Sequence, residues 1–121
     1  MIGIGLDVVD VERMRTVLSR RAAIKERLFT RSEQYYAEAS ADSVQRFAAR
    51  FAAKEAVMKA LGVGLGSVKF RDIEVVKLDS GKPTLELHGQ AAVLADLAGI
   101  RKWHLSISHT ALVAEAIVVA E

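Results

Sequence analysis

Cysteine is absent from this chain, which excludes disulfides, thiolate catalysis and zinc–sulfur sites. The three histidines, His88, His104 and His109, are scattered and give no zinc-ligand spacing. No apolar run approaches the roughly 18 residues needed to span a bilayer. The opening residues carry no basic segment, and Asp7 and Asp10 interrupt their apolar character. A secretion signal is therefore not expected, and a cytoplasmic location is. Aromatics are scarce at 6%, so there is little to stack on bases, and no nucleic-acid-binding motif is present. Neither nucleic acid nor membrane is the expected partner. With 121 residues and no linker, repeat or low-complexity stretch, the chain is one domain, residues 1–121. Such a length is short for a deep private active-site cleft.

Charge is present but unevenly placed. The net charge is only +2, yet Arg13, Arg15, Arg20, Arg21, Lys25, Arg27 and Arg31 set seven cations against Glu26 alone. A local excess of +6 on this segment calls for an acidic partner or a solvated helical face.

Met1–Val9 reads as a buried strand, and Asp10 can cap a helix over Val11–Leu18. Thr30-Arg-Ser-Glu33 has capping-box spacing and opens a helix reaching about Ala39. Ser43 starts the longest helix, which Gly62 ends. Phe70–Leu78 and Thr84–His88 read as strands joined by the turn Asp79-Ser-Gly81-Lys-Pro83. Gly89–Leu97 is a helix closed by Gly99. The alternation of Trp103, Leu105 and Ile107 with His104, Ser106 and Ser108 predicts a half-buried strand, with Leu112–Ala120 as its partner.

The longest helix is the most informative segment. Phe47, Phe51, Lys54, Met58 and Leu61 fall on one stripe at helical spacing, an apolar face interrupted by a cation. Glu55 borders that stripe, and Lys59 lies one turn further on. Asp7, inside an otherwise apolar strand, and Glu55 together offer two hard oxygen ligands. Such a pair suits Mg²⁺ completed by waters and substrate phosphate. His109 ends a strand among the hydroxyls of Ser106, Ser108 and Thr110. A serine-nucleophile reading fails because no Gly-x-Ser-x-Gly elbow exists. Gly62-Val-Gly64-Leu-Gly66 follows a helix rather than preceding one, and Gly3-Ile-Gly5 lacks a third glycine. Neither is a phosphate loop by itself.

Three motifs occur in one order: Gly3-Ile-Gly5-Leu-Asp7, Arg50-Phe-Ala-Ala-Lys54-Glu55-Ala and Ser106-Ile-Ser108-His109-Thr110. With the chain length, they resemble holo-acyl-carrier-protein synthase, the small type of 4′-phosphopantetheinyl transferase. The resemblance implies transfer of the phosphopantetheine arm of coenzyme A to a serine of an acidic, helical acyl carrier protein, in fatty acid biosynthesis or a related pathway. It implies an α+β fold, a small mainly antiparallel sheet with the long helix packed across it. It also implies a homotrimer joined through sheet-side surfaces, with active sites between subunits. Asp7 and Glu55 would then hold Mg²⁺ on one subunit, and His109 would come from its neighbour.

On this reading Asp7, Glu55, Lys59 and His109 are the catalytic set. Arg50, Lys54, Lys59, Gly62, Ser108, His109 and Thr110 bind coenzyme A, with Arg50 offering a fork to its 3′-phosphate. Lys54 lays its stem along the apolar stripe, and its ammonium reaches the site or a carboxylate. Arg13, Arg20, Ile24 and Arg27 form the carrier-docking surface. Glu55, His109 and Asp7 acting through a metal-bound water are all open as the general base, the last ranked first. Two other classes compete: a non-catalytic module that captures an acidic protein or nucleic acid, and a Mg²⁺-dependent nucleotide hydrolase.

Overall fold

The computed structural model describes all of residues 1–121. In chain order it contains β1 (Gly3–Asp10), α1 (Val11–Arg20), α2 (Ala23–Leu28), α3 (Arg31–Glu38), α4 (Ser43–Leu61), β2 (Ile73–Lys77), β3 (Pro83–Leu87), α5 (Gly89–Leu97), β4 (Trp103–His109) and β5 (Val113–Ala120). The architecture is α+β. Where one sheet was expected there are two, both antiparallel: a three-stranded sheet ordered β1-β5-β4 and a separate β2-β3 hairpin.

Helix α4 is buried along most of its length, because alanines fill the positions between its large residues. Phe47, Ala48, Ala49, Ala52, Ala53, Ala56, Val57 and Met58 are all buried. The burial is therefore wider than a single stripe, with Arg50 and Lys54 covered along with the alanines. It ends at Gly62, whose φ of +74° is a left-handed cap that side chains disfavour.

Gly3 and Gly5 let α4 approach β1 closely. A Cβ on Gly5 would lie 1.8 Å from the Ala56 carbonyl oxygen, and one on Gly3 would lie 2.1 Å from that of Ala60. The Gly-x-Gly pair is thus a backbone-packing device. Alternation along β1 then turns Asp7 to the same helix-facing side, while Ile4, Leu6 and Val8 point outward and stay exposed.

Two boundaries shift for local reasons. The segment Phe70–Asp72 is a short 3₁₀ turn, so β2 begins only at Ile73. Helix α2, not anticipated in the sequence, carries part of the basic segment and has no side-chain cap. The predicted caps form: Asp10 accepts from the Arg13 amide at 3.1 Å, and Thr30 with Glu33 makes a full capping box.

Candidate active site

Two i,i+4 rows on α4 organise the chemistry. Arg46, Arg50 and Lys54 form one row, and Phe51, Glu55 and Lys59 form another, about 100° away around the helix. Arg46 and Arg50 of the first row line one pocket, and Phe51 and Glu55 of the second line another.

The second row opens into a groove of about 890 Å³ that Asp7 and Glu55 both line. The Lys59 ammonium donates to Asp7 Oδ1 at 3.0 Å and to the Leu6 carbonyl at 2.8 Å. The Glu55 carboxyl is pushed up from its ordinary value, chiefly by burial and further by the Asp7 charge, against the opposing pull of Lys59. Two acids thus face one lysine, leaving negative charge that a divalent cation would neutralise. No third His, Cys, Asp or Glu joins them. The donor set fits Mg²⁺, which takes few protein carboxylates and keeps water and phosphate ligands.

The same groove is lined by Arg13, Ile24 and Arg27, three of the four residues expected to dock the carrier. Arg20 is exposed at the end of α1, outside the groove lining. Phe51 and Phe70 stack at 5.3 Å, 18° from parallel, and form an apolar wall beside Glu55. Phe70 and Leu65 carried no signal in the sequence. Their part in the groove depends on the turn after α4.

Lys54 corrects the expectation of a coenzyme A contact. It is fully buried, and its ammonium donates to Glu33 Oε1 at 2.8 Å, to the Phe70 carbonyl at 2.9 Å and to the Ile73 carbonyl. Its three donors are spent. Glu33 in turn accepts from the Thr30 and Val75 amides. Burial lowers the Lys54 pKa and Glu33 raises it in opposition. Lys54 therefore ties α4 to α3 and to the turn carrying Phe70.

Arg50 and His109 are brought together, away from Asp7 and Glu55, in a second pocket of about 350 Å³. Arg46, Lys77 and Tyr36 line it too, none of them anticipated. The Arg50 guanidinium lies 3.9 Å over the Tyr36 ring and that of Arg46 lies at 4.2 Å. Arg50 is only 5% exposed, and its Nε has no hydrogen-bond partner within the chain. Burial lowers its pKa, opposed by Tyr36 and Glu33.

Ser108 and Thr110 flank His109 and are exposed. Thr110 Oγ1 accepts from the amides of Leu112 and Val113 at 3.1 Å each, which fixes the turn. Gly62 caps α4 and lines neither pocket. The other histidines pair with acids, His88 with Glu74 at 3.0 Å and His104 with Glu121 at 2.6 Å.

Residues 3–115 match the family model of the 4′-phosphopantetheinyl transferase superfamily. The chain belongs to that superfamily. Among curated members, this phosphopantetheinyl transferase is similar to the holo-acyl-carrier-protein synthase of Koribacter versatilis, 44% identical and covering 100% of this chain and 98% of the relative. The crystal structure of the Neisseria meningitidis holo-acyl-carrier-protein synthase superposes with a TM-score of 0.90 at 33% identity, over 100% of this chain and 98% of that one. The Helicobacter pylori synthase, solved in complex with coenzyme A, gives 0.86 at 33% identity, over 98% and 99%.

Proposed function

We propose that this transferase performs the holo-acyl-carrier-protein synthase reaction with Asp7 and Glu55 as its metal ligands. The reaction moves 4′-phosphopantetheine from coenzyme A to a serine of apo-acyl carrier protein and releases adenosine 3′,5′-bisphosphate. The serine oxygen bonds to the phosphorus bearing the pantetheine. The bond from that phosphorus to the bridging oxygen breaks, and its electron pair leaves on the 5′-phosphate of the nucleotide. The serine proton passes to a base at the mouth of the groove. The single observation that carries this reading is the Asp7–Glu55 pair lining a groove that Arg13, Ile24 and Arg27 also line.

A divalent cation held by Asp7 and Glu55 would supply charge neutralisation on the diphosphate as the anhydride breaks. Lys59, already seated on Asp7, reaches the same diphosphate as a point charge. Phe51 and Phe70 exclude water from one side of the groove, beside Glu55. Arg13, Ile24 and Arg27 orient the acidic carrier so that its serine meets the groove, and Arg20 adds long-range attraction.

Arg50 and His109 hold the nucleotide end. Since they share one pocket, a single subunit supplies both, with Ser108 and Thr110 beside them. The diphosphate end then belongs to the Asp7–Glu55 groove of an adjoining subunit. The site then needs an assembly of copies, in this reading the homotrimer, and a surface for it is present. Ile2, Ile4, Leu6 and Val8 of the β1 edge, with Val113 and Ile117 of β5, lie exposed on the outward side of the sheet. The enzyme works in the cytoplasm, where coenzyme A and carrier protein meet; no helix is long and apolar enough to cross a membrane.

The test is incubation with coenzyme A, Mg²⁺ and apo carrier protein, followed by weighing the carrier. A phosphopantetheine mass gain that disappears with chelator supports the reading. Complex formation without mass gain supports a binding module, and nucleotide release without protein modification supports a hydrolase.

A further inference from the structure

Lys59 passes over the partner its own helix offers. Glu55 stands four positions before it on α4, the order and spacing at which a glutamate and a lysine ordinarily pair. The Lys59 ammonium instead crosses to β1, donating to Asp7 Oδ1 at 3.0 Å and to the Leu6 carbonyl at 2.8 Å. Its side chain is 54% exposed, against 12% for Asp7. The cation thus rests on a nearly covered acid, while its stem stays in solvent and can leave without disturbing the core.

That contact sets the charge of the groove's acid pair. Asp7 and Glu55 bring two negative charges, and the lysine on Asp7 offsets one of them. No third acid or imidazole completes a ligand set around them. A bare divalent cation would over-neutralise what is left and lie beside an ammonium already bonded to one of its ligands. Like charges at such range repel, most strongly where water is excluded. A diphosphate changes both conditions. It adds negative charge around the cation, and its oxygens accept the donors that Lys59 withdraws from Asp7.

We propose that Lys59 is a resident counter-ion that holds the Asp7–Glu55 pair against a bare divalent cation and is released by the substrate's diphosphate. Metal and coenzyme A then bind as a coupled pair, and neither fills the site well alone. The proposal rests on the reading above that Asp7 and Glu55 are the metal ligands. It adds that the contact between Lys59 and Asp7 opposes metal uptake until the substrate arrives.

Mn²⁺ titrations followed by electron paramagnetic resonance test this on the full chain, with and without coenzyme A. Mn²⁺ held by coenzyme A alone is measured separately and subtracted. The wild type should bind the ion about tenfold more tightly with coenzyme A present, and Mn²⁺ should tighten coenzyme A by the same factor. Equal Mn²⁺ affinity in the two conditions overturns the proposal without any variant. Lys59→Met should bind Mn²⁺ about fivefold more tightly than the wild type when coenzyme A is absent, and its enhancement by coenzyme A should shrink. Unchanged or weaker binding there overturns the proposal, because Lys59 would then only position Asp7. Lys59→Arg keeps the charge and should stay near the wild type; if it tightens as the methionine variant does, charge is not the cause and the proposal fails. An Asp7→Asn chain separates the two levels. Undiminished Mn²⁺ binding in that chain, with coenzyme A present, removes the metal-ligand reading and this proposal with it. Asp7-dependent binding without a Lys59 effect removes this proposal alone.

Discussion

The Lys59 ammonium sits 3.0 Å from Asp7 Oδ1, joining the end of α4 to the middle of β1. Half of the Lys59 side chain is exposed while Asp7 is nearly covered. The lysine therefore holds the acid in place and keeps a face toward incoming phosphate. Glu55, one turn back on the helix, has only the remainder of that positive charge to offset its own burial.

That imbalance has a pH signature. Glu55 has a raised pKa in the fold, so its stabilising contribution is complete below the ordinary carboxylate value and is lost as pH rises through the folded value. Glu55→Gln should match the wild type in acid and exceed it near neutrality. The gain, discounted for partial exposure, is about 0.5 kcal/mol, a melting temperature higher by roughly 2–3 °C. Transfer activity should be lost in the same variant. Thermal melts across pH, without added metal, check the first half.

Gly5 sets the distance between β1 and α4. With a Cβ 1.8 Å from the Ala56 carbonyl oxygen, Gly5→Ala must push the helix off the strand. A loss of about 2–3 kcal/mol is expected in denaturant titration. The folded fraction should also need more Mg²⁺ for half-maximal transfer, because Asp7 and Glu55 sit on the two parts being separated.

The Lys54–Glu33 pair is fully buried on both sides. Lys54→Met strands the Glu33 carboxylate with only amide donors, at a cost of about 3–5 kcal/mol. Glu33→Gln together with Lys54→Met should cost less than Lys54→Met alone, since no uncompensated charge remains. Urea midpoints of the two variants decide this.

Arg13 lines the groove beside Ile24 and Arg27. Arg13→Glu should raise KM for the carrier about tenfold while leaving KM for coenzyme A near its original value. Added salt should narrow the difference between variant and wild type.

Much of this was legible in the residues. The caps at Asp10, Thr30 and Gly62, the α4 boundaries and the β4–β5 pairing follow from local chemistry, and each formed. Asp7 and Glu55 were legible as a pair because acids stand out against apolar surroundings. Lys54 was ambiguous, since an ammonium at the edge of an apolar stripe can turn outward or find an acid. Glu33 lies 21 positions away, so only the tertiary fold could reveal it. Tyr36, Asp42, Arg46 and Lys77 come from α3, the N-terminus of α4 and the β2-β3 hairpin, which local spacing cannot relate. The later start of β2 follows from the 3₁₀ turn Phe70–Asp72, where alternation alone predicts strand from Phe70 onward.

The central claim is that one divalent ion needs both Asp7 and Glu55. Mn²⁺ binding, followed by electron paramagnetic resonance in the presence of coenzyme A, tests it without turnover. The account predicts one tightly held ion per chain in the wild type and at least a tenfold weaker ion in either Asp7→Asn or Glu55→Gln. Undiminished Mn²⁺ affinity in either variant would contradict it.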